Sequence, residues 1–338
     1  MNARLRPPTI VDVAKRANVS AATVSYVLSG REELVRRIGS DTRQRITAAI
    51  AELGYVQNQI ARQLRLRRTQ RICVLLPQIG VPFVDNIAKD VEAVVQRRGY
   101  SSIVVVGRTF DMCRQLALEV EAGLADGIVA DVEQFDSGEL LELFEPLRKA
   151  NKAVLLLHPS VDPGPFSTVR QARLPAFKAM LEHLHKSGRR HFAYIRHGQS
   201  DDAQRSQVLR AFLADKGLPP PRIVTGAETR DTAVAAALAM LDENVRPDAL
   251  LIQSDFSAVA VIHALLRRGL SVPREIAVAG SGNAEEGRHC FPALTTIGPQ
   301  RPSLETPVGH LLDEIEGKAD ATPQTFEIPW SMIDRESA

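Results

Sequence analysis

Cysteine is scarce: Cys73, Cys113 and Cys290 are the only three in 338 residues, and they lie far apart. An odd, scattered set excludes a disulfide framework and a cysteine zinc site, and it fits a reducing cytoplasm. No run of about 18 apolar residues occurs, so no membrane helix is expected. The opening stretch MNARLRPPTIVDVAKRA lacks the apolar core of a secretory signal, so none is expected there. Internal repeats and low-complexity tracts are also missing. What remains is the composition of a globular protein, 44% hydrophobic and 24% charged, long enough for two or three domains.

The net charge of +2 conceals a sharp asymmetry. Residues 1–71 hold 14 Lys and Arg against 5 Asp and Glu, while the rest hold 28 against 35. A basic head on an acidic body points to a polyanionic partner for the head alone. The pattern inside the head separates a folded reader from a solvated tail. Thr9 is placed to cap a helix over residues 10–17, with Val13, Ala14 and Ala17 on one face. Asn18 and Val19 make a turn, and Ser20 caps a second helix over residues 21–28. Val24, Val27 and Leu28 turn that helix inward and leave Ala21, Ala22, Ser25 and Tyr26 outward. A third helix runs from about Asp41 to Leu53, capped by Ser40, with Ile46, Ile50 and Leu53 inward and Gly54 as its stop. Two short helices joined in this way form a helix-turn-helix, whose second helix enters the DNA major groove. A plain three-helix bundle with a basic surface is the weaker reading.

From Ile72 onward, apolar strand-like runs alternate with helix-period segments. The strands fall near residues 72–76, 102–106, 127–129, 153–157, 191–195, 223–225, 249–253 and 275–279, with helices such as 83–98 and 255–268 between them. Such alternation predicts parallel sheets covered by helices, divided into two Rossmann-like lobes. The fold class expected is thus an all-α helix-turn-helix head on an α/β core. Enzyme readings fail at the level of sites. In Ala277-Val-Ala-Gly-Ser-Gly282 the dinucleotide fingerprint breaks, because Glu285 takes the third glycine position, so no cofactor is expected. His183, His185, His191 and His197 lack cysteine or matched acidic partners, so no metal is expected. No nucleophile elbow or phosphate loop is present, and no catalytic residue is assigned.

The run Thr9-Ile-Val-Asp-Val-Ala-Lys-Arg-Ala-Asn-Val-Ser20, with Thr23-Val-Ser25 and Val27-Leu28, resembles the reader of the lactose- and galactose-repressor (LacI/GalR) family. The likeness continues through Asp41-Thr42-Arg43, Leu53-Gly54-Tyr55, Asn58, Ala61-Arg62 and Leu64-Arg65, then covers the remaining chain at lower density. The resemblance implies a transcription regulator, expected to be a repressor, cytoplasmic, with a periplasmic-binding-protein-like core and no membrane partner. Its implied partners are near-palindromic double-stranded operator DNA, a small-molecule effector and further copies of itself, as a homodimer or tetramer. A two-lobe solute-binding protein without a DNA role is the alternative, opposed by the basic reader. The implied domains are a head over 1–57, a hinge helix over 58–68, and a core over 69–338. Within the core the first lobe is expected at about 70–163 and 298–322, the second at about 164–297 and 323–338.

The resemblance assigns DNA contact to Thr9, Ser20, Ala21, Ala22, Thr23, Ser25 and Tyr26 in the reader. In the hinge it assigns contact to Asn58, Ala61, Arg62, Leu64 and Arg65. Leu64 matches a leucine that wedges between central base pairs, where unstacking is offset by contacts along bent DNA. Tyr26 stands where many relatives carry an arginine and cannot make its bidentate contact to guanine. Gln57 replaces a common proline before the hinge. For the effector, Phe83 matches an aromatic that packs on the ligand, and Arg205 and Asp255 match residues that hydrogen-bond sugar hydroxyls. Arg170 and Arg196 replace family residues bordering the pocket, and His158 sits at a strand end where a charged residue is common. Arginines gathering without equal acids favour a carboxylate or phosphate. The competing reading is that some of them face solvent or pair locally.

Overall fold

The computed structural model describes residues 8–28, 35–56, 68–157, 164–197, 202–227, 229–242, 245–300 and 303–338. The chain divides into two compact units, residues 1–69 and 70–338.

The first unit contains helices α1 (Ile10–Ala17), α2 (Ala21–Leu28) and α3 (Ser40–Leu53). Spacing at helical period buries Val13, Ala14 and Ala17 of α1 against Val24 of α2 and Ile46 and Ala49 of α3. Asp12 fixes the start of α1, its carboxylate accepting the Thr9 N–H at 2.7 Å and the Thr9 hydroxyl at 2.6 Å. Asn18 ends the helix in the left-handed region at φ 52°, where its short polar side chain is tolerated. Ser20 accepts the Thr23 N–H at 3.0 Å and so caps α2. In α3, Ser40 is the first helical residue rather than the cap, and Gly39 takes the cap position without a side-chain bond.

The second unit is two lobes, each a six-stranded sheet. Strands β1 (Arg71–Leu76), β2 (Ser101–Val106), β3 (Gly127–Asp131), β4 (Ala153–Leu157), β5 (Ser167–Ala172) and β11 (Thr325–Pro329) form the first, in the order β11-β5-β4-β3-β1-β2. Strands β6 (Phe192–Ile195), β7 (Arg222–Val224), β8 (Ala249–Ile252), β9 (Ala277–Ser281), β10 (Thr295–Gly298) and β12 (Ser331–Ile333) form the second, in the order β12-β10-β9-β8-β6-β7. All pairings are parallel except β10 with β12. Parallel sheets need helices on both faces, and β1 shows why its sequence is continuously apolar. Ile72, Val74 and Leu76 feed one core, while Cys73 and Leu75 feed the core on the opposite face.

The chain passes between lobes three times: from β5 directly into helix α7 (Arg173–Lys186), after β10, and at Trp330 between β11 and β12. Two expected lobe limits therefore move. The first crossing falls at residues 172–173 rather than near 164, because β5 pairs with β4 in the first sheet. Residues 325–329 belong to that same sheet instead of the second lobe, since β11 pairs with β5.

Candidate functional site

On the first unit, α2 offers a surface shaped for groove entry. Ala22 is exposed and Tyr26 is 46% exposed, whereas Val24 is fully buried on the opposite side. Ala21, Thr23 and Ser25 are half-buried. Lys15, Arg16, Arg36, Arg37, Arg43 and Arg45 are exposed around this core, the charge needed to hold phosphates. Arg16 also bonds Glu52 at 2.7 Å, which ties α1 to α3. The five hinge residues Asn58, Ala61, Arg62, Leu64 and Arg65 lie outside the described residues, as does His158.

On the second unit, a cavity of about 760 Å³ opens between the lobes. Its walls come from segments just past the carboxyl ends of strands, where open α/β sheets place ligands. The first lobe contributes Phe83 after β1, Arg108 and Phe110 after β2, and Asp131, Glu133 and Phe135 at and after β3. The second contributes His197, Arg205, Gln253 and Ser281. Arg205 reaches in from helix α8 (Asp202–Asp215), is 5% exposed, and donates from Nη1 to Ser281 Oγ at 3.3 Å. Phe83 and Arg205, both expected at an effector site, are thus brought to one cavity.

Three other expected residues stand elsewhere. Asp255 begins helix α10 (Asp255–Arg267), is 2% exposed, and does not line the cavity. Its Oδ1 accepts the Thr296 hydroxyl at 2.6 Å and its Oδ2 accepts the Ala284 N–H at 2.7 Å. Burial pushes its pKa up to about 6, against the opposing pull of those two bonds and of Arg335. Asp255 therefore holds the loop that follows β9, and through it Ser281, the partner of Arg205. Arg170 sits on β5 between Val169 and Gln171, and strand alternation sends its side chain to the opposite face from theirs. Arg196 Nη1 donates to Ser206 Oγ at 3.4 Å, which draws the guanidinium toward α8. Neither arginine is on the cavity wall.

The residues that sequence reasoning missed are informative. Arg173, the first residue of α7, is clamped by both carboxylate oxygens of Glu133, with Nη1 to Oε2 at 3.0 Å, and its Nε donates to Gln171 at 3.0 Å. Its guanidinium lies 5.1 Å from the ring centre of Trp330, a cation–π arrangement. Asp131 is buried at the end of β3, and desolvation together with the Glu133 charge raises its pKa well above the ordinary carboxylate range. Strand-end position was the available signal for Asp131 and Gln253. The cavity wall therefore carries Arg108, Arg173 and Arg205 beside the carboxylates of Glu133 and Glu139, with Asp131 as a third, protonated carboxyl near neutral pH.

Asp131 also makes stability depend on pH. A folded-state pKa above the unfolded value near 3.9 means that the folded chain binds the extra proton from about pH 4 upward. Its contribution is thus most favourable at low pH and falls as pH rises through that window. Asp131→Asn is expected to flatten the falling limb, with its largest relative gain on the alkaline side. Urea denaturation of both forms at pH 5, 7 and 9 checks this; a constant difference across the series would contradict it.

Among the described residues no group of three or more His, Cys, Asp or Glu side chains could hold a metal ion, and no helix is long and apolar enough to cross a membrane. The motif Gly280-Ser-Gly282 has a structural explanation. A Cβ at Gly280 would lie 2.1 Å from Asp255 Oδ1, and Gly282 adopts φ +131°.

Comparison with known proteins covers both units. Residues 9–58 match "Bacterial regulatory proteins, lacI family", and residues 181–338 match "Periplasmic binding protein-like domain". The chain is 30% identical to the HTH-type transcriptional repressor PurR of Aliivibrio fischeri over 97% of its own length and 98% of the relative's. It is 27% identical to Catabolite control protein A of Priestia megaterium over the same shares. Its fold is that of the lac repressor dimer solved with operator and the anti-inducer ONPF (TM-score 0.83, 24% identity, 98% of this chain and 99% of that one). The regulator CelR in complex with cellobiose is a more distant match in shape (TM-score 0.68, 24% identity, 98% and 100%).

Proposed function

This chain belongs to the lacI family of bacterial regulatory proteins, and from that premise we propose that it is a cytoplasmic repressor whose hold on DNA is set by a small molecule bound between its lobes. It is a DNA-binding transcription regulator. The observation that carries the effector reading is the 760 Å³ inter-lobe cavity with Arg205 buried in its wall, aimed by Ser281 and, behind it, Asp255. A ligand touching both lobes binds their arrangements unequally, which is the thermodynamic requirement for control at a distant DNA site. Glu133 and Glu139 offset two of the three wall arginines while Asp131 keeps its proton at neutral pH, which favours a polyhydroxylated or singly anionic effector over a polyanion. The surplus of cations expected from Arg170 and Arg196 does not reach the wall.

In this reading residues 1–57 read DNA, residues 58–68 form the hinge, and the core from residue 69 senses the ligand. Thr9, Ser20 to Thr23, Ser25 and Tyr26 face the major groove, and Leu64 with Arg62 and Arg65 engages the central step. Two copies act together, as in the lac repressor dimer on its operator. The chain works by binding and carries out no catalysis. A solute-binding protein without a DNA role is disfavoured by residues 9–58.

A thermal-shift screen of sugars, sugar phosphates, uronates and organic acids tests the sensing role, because a ligand that binds only the folded state raises its melting temperature. With a hit in hand, Arg205→Ala is expected to weaken binding about 10- to 100-fold, the cost of one charge-assisted contact. Equal affinity for the hit in both proteins would remove Arg205 from the site.

A further inference from the structure

One arginine is shared by the two lobes. Arg173 opens α7, a helix rooted in the second lobe by Ala176, Phe177, Met180, Leu181 and Leu184. Its guanidinium turns back to the first lobe. Both terminal nitrogens bond the Glu133 carboxylate, Nη1 to Oε2 at 3.0 Å, while Nε and Nη2 donate to Gln171 Oε1 at 3.0 and 2.7 Å. Glu133 is held as firmly on its own side. The loop that carries it follows β3 and buries Val132 and Phe135 in the first-lobe core, and Gln171 belongs to β5. Trp330, at the third crossing, faces the same guanidinium with its ring centre 5.1 Å away. Arg173 thus ties two of the three crossings to the loop after β3.

The pair is largely withdrawn from water, with the Arg173 side chain 10% exposed and that of Glu133 21%. At that depth, losing one partner leaves the other as an uncompensated charge, which is unfavourable until water reaches it. A bidentate pair also tolerates little displacement, because two parallel N–H···O bonds must stay aligned. Rotation of the second lobe on the first turns α7 and carries Arg173 away from Glu133. Other close pairs do not register such a rotation, because both partners sit in one lobe. Arg98 with Asp313 and Glu316 is an example in the first lobe, and Arg230 with Glu286 in the second.

We infer that the Glu133–Arg173 pair is an inter-lobe latch, which holds the ligand-free core in one lobe arrangement and thereby sets its resting affinity for operator DNA. The inference rests on the regulator reading above and adds the device that fixes the set point. Both partners also line the inter-lobe cavity, so a ligand entering it meets the latch itself. Trp330 is the only tryptophan of the chain and is 8% exposed beside Arg173. Its emission therefore reports whether the latch is closed.

The test compares Glu133→Gln, Arg173→Gln and the double variant with the parent, as full chains without ligand. Each single variant leaves a buried charge that a more open cleft hydrates. Hydrogen exchange across residues 170–175 and 328–333 is therefore expected to quicken. In Glu133→Gln, where Arg173 remains, Trp330 is expected to become more accessible to acrylamide. Operator affinity, read by fluorescence anisotropy, is expected to shift by about 5- to 150-fold, the usual range for coupling between distant sites. The double variant has no charge to hydrate, so it should lie closer to the parent than the sum of the singles. Arg173→Lys keeps the charge but loses the fork, and it covers the case in which Arg173→Gln does not fold. Glu145→Gln with Arg148→Gln is the control. It removes an equally bidentate pair within one first-lobe helix and is expected to leave operator affinity unchanged. Single variants with unchanged exchange and unchanged operator affinity overturn the latch and leave the effector reading standing. Strictly additive shifts, or an equal shift in the control, overturn it as well. Faster exchange with unchanged operator affinity shows that the lobes do not govern DNA binding, and the inference then falls together with the regulator reading of the core.

Discussion

A chain shortened to residues 69–338 is expected to lose operator binding altogether while keeping a cooperative thermal transition. The reason is the division of charge and contacts. The basic residues that neutralise phosphates lie in the head, whereas the remainder of the chain is net acidic, so the core alone repels DNA. The core needs nothing from the head for its own burial, because each of its two sheets is covered on both faces by its own helices. The full chain should protect a near-palindromic site with half-sites about 10 base pairs apart. Its affinity should fall steeply with salt as arginine contacts displace counterions. Specific binding typically exceeds non-specific binding by about 10³- to 10⁷-fold, so the loss is measured easily by fluorescence anisotropy. Retained specific binding by the shortened chain would sink the assignment of the head.

Gly280→Ala is expected to cost the core about 3 kcal/mol, at the severe end of overpacking. The added Cβ would sit 2.1 Å from Asp255 Oδ1 and 2.8 Å from Leu294 Cδ2, distances that no relaxed structure keeps. Either the carboxylate swings away, leaving the Ala284 N–H unpaired and the Thr296 hydroxyl with only its 3.2 Å bond to the Ile297 carbonyl, or β9 shifts within the sheet. For a domain of this size the melting temperature should fall by about 6 °C or more. A second substitution identifies the cause. In Gly280→Ala with Asp255→Ala the clash with the carboxylate is gone and only the contact with the flexible Leu294 side chain remains, so the double variant should be less destabilised than the sum of the two singles. Strict additivity would show that Asp255 is not what the glycine accommodates.

The first two helices of the head were legible almost residue by residue, and the third apart from its cap at Gly39, because short helices with marked caps carry local information. Thr9, Asn18, Ser20 and Gly54 punctuate the chain, and the 3.6-residue period of Val13, Ala14 and Ala17 needs no distant partner to interpret. Buried parallel strands such as β1, β3 and β4 were equally plain from their unbroken apolar runs. Strands at the crossings were not. Ser167-Thr-Val-Arg-Gln-Ala172 and Thr325-Phe-Glu-Ile-Pro329 are half polar, since β11 is the sheet edge and β5 lies beside it, so neither shows the unbroken apolar run of β1. The cleft failed for a related reason. Matching positions along the chain identified Arg170 but not which face its side chain takes, which a strand reverses with every residue, and identified Arg196, just past β6, but not its bond to Ser206. Asp255 matched by type and position, yet its two bonds come from residues 29 and 41 positions away, a relation that no local pattern records. Arg173 drew no notice because its partners Glu133 and Trp330 are equally remote.

Sharing strands between lobes also orders the birth of the protein on the ribosome. The first sheet closes only when residues 325–329 join β5, long after β1 to β4 have emerged. Throughout synthesis of the second lobe, the outer edge of β5 stands with its backbone donors and acceptors open, an invitation to another nascent chain. Translation thus delivers the β-sheet of the first lobe late and incomplete, and chaperone demand should peak in that interval.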